Sequence, residues 1–151
     1  MFQFLKDKFN IDITTTKNNT ELWSVESKDV FEILSELKNL PEYSFDMLLN
    51  YTVVDKIDDN IFEVFYQIFS VSLNRCLLIK VSVSRENPEI VSISNLYKSA
   101  TFDEREMYDL FGVNFIGHEN IRRILLPNDW IGHHLRKDYK LQDERLQWNA
   151  R

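Results

Sequence analysis

Between Tyr43 and Ser84 the sequence alternates apolar and polar residues in three successive runs, broken only by short polar stretches. A period of two is the pattern of strands buried on one face. In the first run Tyr43, Phe45, Met47, Leu49, Tyr51 and Val53 are expected to share one face. Residues 55–60 read as a turn, and residues 61–73 as a long second strand with both faces partly apolar. Asn74-Arg75 reads as a tight hairpin turn. In the third run Leu77, Ile79, Val81 and Val83 point inward, while Lys80, Ser82 and Ser84 point outward. Consecutive strands joined by such short turns pair antiparallel. Asn87-Pro88 then breaks the chain, and residues 90–93 can add a short further strand.

Helical spacing flanks this block. Phe2, Leu5 and Phe9 are three and four apart and suggest a short amphipathic helix. Residues 11–25 are polar and read as a loop and a short strand. Ser27 is a candidate N-cap for a helix whose stripe is Val30, Ile33, Leu34 and Leu37, with Pro41 closing the region. Thr101 and Glu104 have the spacing of a capping box, so a helix is expected over residues 102–111. Arg105 and Asp109 are one turn apart and can pair on its surface. Gly112 stands where a left-handed C-cap glycine belongs. The expected fold is α+β: a mostly antiparallel sheet of about four strands with helices on one face. It occupies residues 1–115, and an extended docking segment takes up residues 116–151.

With 151 residues and only 3 Gly and 3 Pro, the chain fits one domain that is mostly regular structure. The net charge of -6 disfavours nucleic acid and anionic lipid as partners. A single cysteine, Cys76, cannot form an internal disulfide, a Cys-ligated iron–sulfur cluster or a cysteine zinc site within this chain. No signal peptide is expected, because Lys6, Asp7 and Lys8 interrupt the apolar start. No apolar run nears the roughly 20 residues needed to span a bilayer. Any membrane association is therefore expected through partners.

Arginine is distributed unevenly. Six of eight Arg (105, 122, 123, 136, 145 and 151) fall in the last 51 residues, whereas eight of ten Lys fall in the first 100. Arginine suits planar, partly buried pairing and is enriched at interfaces, where lysine is depleted. The last third, which also carries Trp130, Tyr139 and Trp148, reads as a docking segment.

Residues 104–139 read EREMYDLFGVNFIGHENIRRILLPNDWIGHHLRKDY. This stretch resembles the signature of the C-subunit family of NADH–quinone oxidoreductases at Glu104, Arg105, Glu106, Asp109, Gly112, Phe115, His118, Arg122, Arg123, Ile124, Leu125, Leu135, Arg136, Lys137, Asp138 and Tyr139. Two positions depart from it. Glu119 and His134 stand where the family has proline, which would stiffen the extended chain there.

The resemblance implies a structural subunit of the hydrophilic arm of a proton-pumping complex (respiratory complex I or a close relative). It would brace the quinone-site subunit beside the iron–sulfur subunits. It would bind no flavin, cluster or quinone itself; the whole complex implies iron–sulfur clusters and quinone, with FMN and NADH if NADH is the donor. It would sit peripherally on the cytoplasmic side of the cell membrane, or on the stromal or matrix side in an organelle. The chain is short for the family. In length it resembles the J subunit of cyanobacterial and chloroplast complexes and the equivalents in F420H2 dehydrogenases and membrane-bound hydrogenases. Ferredoxin, F420H2 or a hydrogenase module therefore stand as alternative donors.

Other chemistry has to be weighed beside this. Glu104, Glu106 and Asp109 could form a carboxylate site, and a free-standing enzyme could use Glu104, Glu106 and His118. The sequence supplies neither a nucleophile nor a recognisable metal site for it. Helix-end and ion-pair roles suit the acids better. His118, His133 and His134 lack a cysteine or close carboxylate to complete a metal site, and packing is the ordinary fate of such residues. An RNA-binding module would need a basic face, and the charge balance opposes one.

Overall fold

The computed structural model describes residues 2–140. Arg145, Trp148 and Arg151 of the expected docking segment lie outside the described residues.

Helix α1 (Gln3–Phe9) leads into strands β1 (Asp12–Thr15) and β2 (Glu21–Val25), helix α2 (Val30–Asn39) and strand β3 (Met47–Lys56). A 3-10 turn over Ile57–Asp59 precedes β4 (Ile61–Ser70) and β5 (Arg75–Ser84). Strand β6 (Glu89–Val91), helix α3 (Ala100–Phe111) and strand β7 (Asn114–Ile116) come next. Residues 117–140 contain no helix or strand.

The main sheet has the order β1-β2-β5-β4-β3. Strands β3, β4 and β5 form the expected antiparallel meander. The β2–β5 pair is parallel, with Trp23 beside Ile79. The short strand expected within residues 11–25 is therefore two strands, which bring the sheet to five. Strand β6 pairs in parallel with β7, Ile90 beside Phe115, in a separate two-stranded sheet.

One face of the sheet is buried. Tyr51, Tyr66, Ile79 and Trp23 stand side by side in register, all at most 5% exposed. The stripe Val30, Ile33, Leu34 and Leu37 of α2, Leu5 of α1 and Phe2 just ahead of it join the same core, as the helical spacing predicts. Ala100 and Met107 of α3 close it. Fully burying an aliphatic side chain of this kind stabilises by about 2 kcal/mol, so this face sets the fold.

The structure corrects three local expectations. The alternation from Tyr43 to Val53 is not one strand: the register slips between Leu48 and Asn50, leaving Leu49 as an extra residue. Tyr43 and Phe45 are buried ahead of the strand, Met47 and Leu49 are exposed, and Tyr51 and Val53 return inward. Ser27 lies ahead of Asp29, which stands at the α2 N-cap, and no side chain caps that end. The hairpin turn is Val71 to Asn74, closed by the Asn74 N–H on the Val71 carbonyl with Asn74 at φ 47°, so Arg75 already belongs to β5.

Candidate docking site

The signature residues converge on α3 and on the irregular segment that wraps it. A segment without helix or strand has no ladder of its own, so other groups must satisfy its backbone. Asp109 takes three of these N–H groups. Its side chain is fully buried on the last turn of α3. One carboxylate oxygen accepts Arg123 Nη1 at 2.6 Å. The other accepts the backbone N–H groups of Ile124, Leu125 and Leu126 at 3.0, 2.8 and 2.9 Å. Burial pushes the Asp109 carboxyl up, but the Leu126 N–H, Arg123 and the Ile124 and Leu125 N–H groups outweigh it and hold it below the usual range.

Arg123 spreads its fork further. Nη1 also donates to the Asp109 carbonyl at 3.1 Å, and Nη2 donates to the carbonyls of Trp130 and Gly132 at 2.9 and 3.0 Å. A planar guanidinium with several donors can join three chain segments in this way; an ammonium could not hold the same geometry. Arg105 does not pair with Asp109, contrary to the helix spacing. It donates to the carbonyls of Arg122 and Arg123 at 3.3 and 3.1 Å, so both helical partners reach across to the segment instead of to each other.

Glu104 is also displaced from its expected role. Ser99 is the N-cap of α3, no side chain caps it, and Glu104 is fully buried. Its carboxylate accepts the Ser92 hydroxyl at 2.6 Å and the Ile93 N–H at 2.7 Å, which fastens α3 to the chain after β6. Burial pushes its carboxyl up to about 7, against the opposing pull of those two bonds. The His118 side chain is 1% exposed and brings Nε2 to 4.0 Å from Glu104. His118 Nδ1 accepts the Asn120 N–H at 3.0 Å, which places the ring hydrogen on Nε2, facing the Thr101 carbonyl at 3.2 Å. Glu106 is exposed. The trio considered for an enzyme thus comprises two sealed side chains and one that faces solvent.

Gly112 ends α3 with φ +76° as predicted, its N–H on the Tyr108 carbonyl. It has a second duty that no local pattern shows. The His133 ring lies against it, and a Cβ there would meet His133 Cδ2 and Nε2 at 2.5 Å. His133 Nδ1 is 3.0 Å from the Asp109 carbonyl. Gly132, at φ +82°, is held open in the same way for Tyr139, whose ring would lie 2.9 Å from a Cβ. Phe115 is buried against Tyr51 at 6.0 Å between ring centres.

The end of the signature is tied to the sheet. Arg136 donates to the Phe111 carbonyl at 2.7 Å and lies over the Phe62 ring. The Lys137 N–H donates to Asp55, and Asp138 accepts Arg85. Asp55 and Arg85 lie outside the signature, and sequence reasoning misses both. The signal was available: each is a charged residue at an inward position of a strand alternation.

Outward, the same region carries large apolar side chains among its polar ones. Of the twelve large hydrophobic residues exposed among the described residues, six lie in this region: Phe102, Ile116, Ile124, Leu125, Ile131 and Leu135. Leu125 is 60% and Ile131 70% exposed. Glu104, Arg105, Asp109, Arg123, Arg136 and Asp138 bond within the chain, whereas Ile124, Leu125 and Leu135 face out. Where exposed apolar side chains are contiguous, they mark interaction surfaces. Among the described residues no group of three or more His, Cys, Asp or Glu could hold a metal ion.

The chain has relatives among known proteins. Residues 23–145 match the family model described as respiratory-chain NADH dehydrogenase, 30 Kd subunit. The C subunit of an NADH-quinone oxidoreductase of Trichlorobacter lovleyi is 41% identical over 143 residues, covering 91% of this chain and 86% of that protein. A C/D subunit of the same enzyme type from Chromohalobacter salexigens is 37% identical over 126 residues; the match covers 78% of this chain but 21% of that longer relative. The fold is also that of a chain in the membrane-bound sulfane sulfur reductase, an archaeal respiratory membrane complex, at a TM-score of 0.78 and 22% identity, covering 93% of this chain and 83% of that one. The chain belongs to the family of the 30 kDa subunit of respiratory-chain NADH dehydrogenase.

Proposed function

We propose that the chain is the C subunit of an NADH–quinone oxidoreductase and serves it as a structural component of the hydrophilic arm. The observation that carries this is the family match over residues 23–145, which includes the whole wrapped segment. The name and length of the C/D relative add the nearest partner. There the C-type and D-type sequences share one chain, of which the matched part is 21%. Two units joined in one chain act side by side. The apolar face around Leu125, Ile131 and Leu135 therefore docks on the D-type homologue, the quinone-site subunit, with iron–sulfur subunits nearby.

The chain contributes position, not redox chemistry. Iron–sulfur clusters need several thiolates, and this sequence has Cys76 alone. Quinone, clusters and, with NADH as donor, FMN belong to the partner subunits. Among the described residues no helix is long and apolar enough to cross a membrane. The reading is of a peripheral subunit held to the membrane by its partners, on the cytoplasmic side or its organellar equivalent.

Affinity purification of the tagged chain from detergent-solubilised membranes, with mass spectrometry of the co-purifying proteins, tests this reading. The quinone-site subunit and NADH-oxidising flavin subunits are expected. Recovery of the chain without any oxidoreductase subunit would reject it. A second reading keeps the scaffold role and changes the donor, favoured by the likeness to a chain of the sulfane sulfur reductase complex. It predicts the quinone-site homologue with a different electron-input module.

A further inference from the structure

The alternation of β3 places Asp55 on the same side as Tyr51 and Val53, and that of β5 carries on through Val81 and Val83 to Arg85. Both are core positions by period, yet they hold charges. They are 5% and 8% exposed. Arg85 Nε donates to Asp55 Oδ1 at 2.7 Å, and Nη2 donates to Oδ2 at 3.1 Å. An apolar pair at two such positions stabilises a sheet at least as well as a buried ion pair. The meander has its own pairing: β4 is in register with both neighbours along all ten residues of β5 and nearly all of β3. These charges therefore answer to something other than the sheet.

What they answer to is the wrapped segment. Asp55 Oδ2 accepts the Lys137 N–H at 2.8 Å. Arg85 Nη2 reaches Asp138 Oδ1 at 2.7 Å, bridging the buried acid and a half-exposed one. The guanidinium groups of Arg85 and Arg136 both lie over the Phe62 ring, at 5.5 and 5.1 Å from its centre. The segment is thus pinned twice. Asp109 grips residues 123–126 at one end, and the Asp55–Arg85 pair grips residues 137 and 138 at the other. The exposed Ile131 and Leu135 lie between the two grips.

We infer that Asp55 and Arg85 are positioning residues for partner docking: a clasp on the sheet that fixes the path of residues 130–138 and so presents Ile131 and Leu135 to the neighbouring subunit. This rests on the docking reading above. It adds two residues outside the signature and assigns them a role that stability of the sheet does not explain.

The test uses the full chain with Asp55→Asn and two readouts. Amide hydrogen exchange reports the Lys137 N–H beside the Tyr66 and Ile68 N–H groups of β4. Capture from solubilised membranes reports the yield of the quinone-site subunit, identified by mass spectrometry. Loss of a charge-assisted bond predicts Lys137 exchange about tenfold faster and a comparable fall in capture, with β4 protection unchanged. If the two readouts do not move together, whether capture holds while residue 137 loosens or falls while it stays protected, the inference is overturned. If β4 also loosens, Asp138→Asn replaces the variant; it removes a half-exposed acid and leaves the buried pair intact. Unchanged capture with that variant then overturns the clasp. A wild-type chain that captures no quinone-site subunit is a separate result, and it rejects the docking reading itself.

Discussion

Asp109 and Arg123 meet at 2.6 Å across fourteen residues of sequence, and between them they satisfy a carboxylate, three backbone N–H groups and three backbone carbonyls. The pair does the work of a secondary-structure ladder for a segment that has none. Asp109→Ala removes the carboxylate from the Arg123 guanidinium, leaving it backbone carbonyls alone, and strips three N–H groups of their acceptor. Losing one partner of a buried pair costs about 3–5 kcal/mol. Asp109→Asn keeps the shape and some bonds and costs about 1–3 kcal/mol. Urea unfolding of both variants checks the order; equal stability of Asp109→Ala and wild type would show that the pair does not hold the segment.

Gly112→Ala is expected to destabilise by about 2 kcal/mol or more, from the positive φ and the clash with His133 together. The clash is separable. In a double-mutant cycle, His133→Ala costs less in the Gly112→Ala background than alone, because it removes the obstacle. Additive costs would show that the close approach of His133 has no energetic weight.

How much of this is legible in sequence differs from residue to residue. Gly112 is readable because a helix C-cap is a local demand on φ. The stripe of α2 and the inward face of β5 are readable because burial follows period. The partner of Asp109 is not: spacing offers Arg105 one turn away, and only tertiary structure brings Arg123 closer. Glu104 fits a capping box by pattern, yet Ser92 and Ile93, brought alongside by the β6–β7 pairing, take its oxygens. The parallel β2–β5 pair is hidden because a helix and two long strands separate its members in sequence. The extra residue Leu49 is hidden because an apolar bulge looks like continued alternation. Asp55 and Arg85 are legible as anomalies but become meaningful only with the segment in place.

Glu104 predicts a pH dependence. Its carboxyl is raised to about 7 from an ordinary 4.5, so the folded state holds this proton more tightly than the unfolded chain does. Its contribution is therefore fully present below about pH 4.5 and declines as pH rises to about 7, by about 3 kcal/mol in all. Glu104→Gln keeps the shape without the ionisation. Urea midpoints measured from pH 5 to 7.5 should fall less steeply for Glu104→Gln than for wild type; identical slopes would contradict the assignment.

The apolar face predicts a separation of stability from assembly. Leu125→Ser with Ile131→Ser changes two well-exposed side chains, and exposed substitutions usually shift stability by about 0.5 kcal/mol or less. Thermal unfolding of the isolated chain should be nearly unchanged, while the amount of chain incorporated into membrane complexes drops. A fall in both would assign these residues to the chain's own fold.

Whether the chain works as a docked scaffold is decided by native gel electrophoresis of mildly solubilised membranes, with the tagged chain detected by immunoblot and the quinone-site subunit by mass spectrometry. This 18.1 kDa chain should migrate in one large band with the quinone-site subunit and quinone-reducing activity. A chain that runs at its own size, apart from any oxidoreductase subunit, would contradict the docked role.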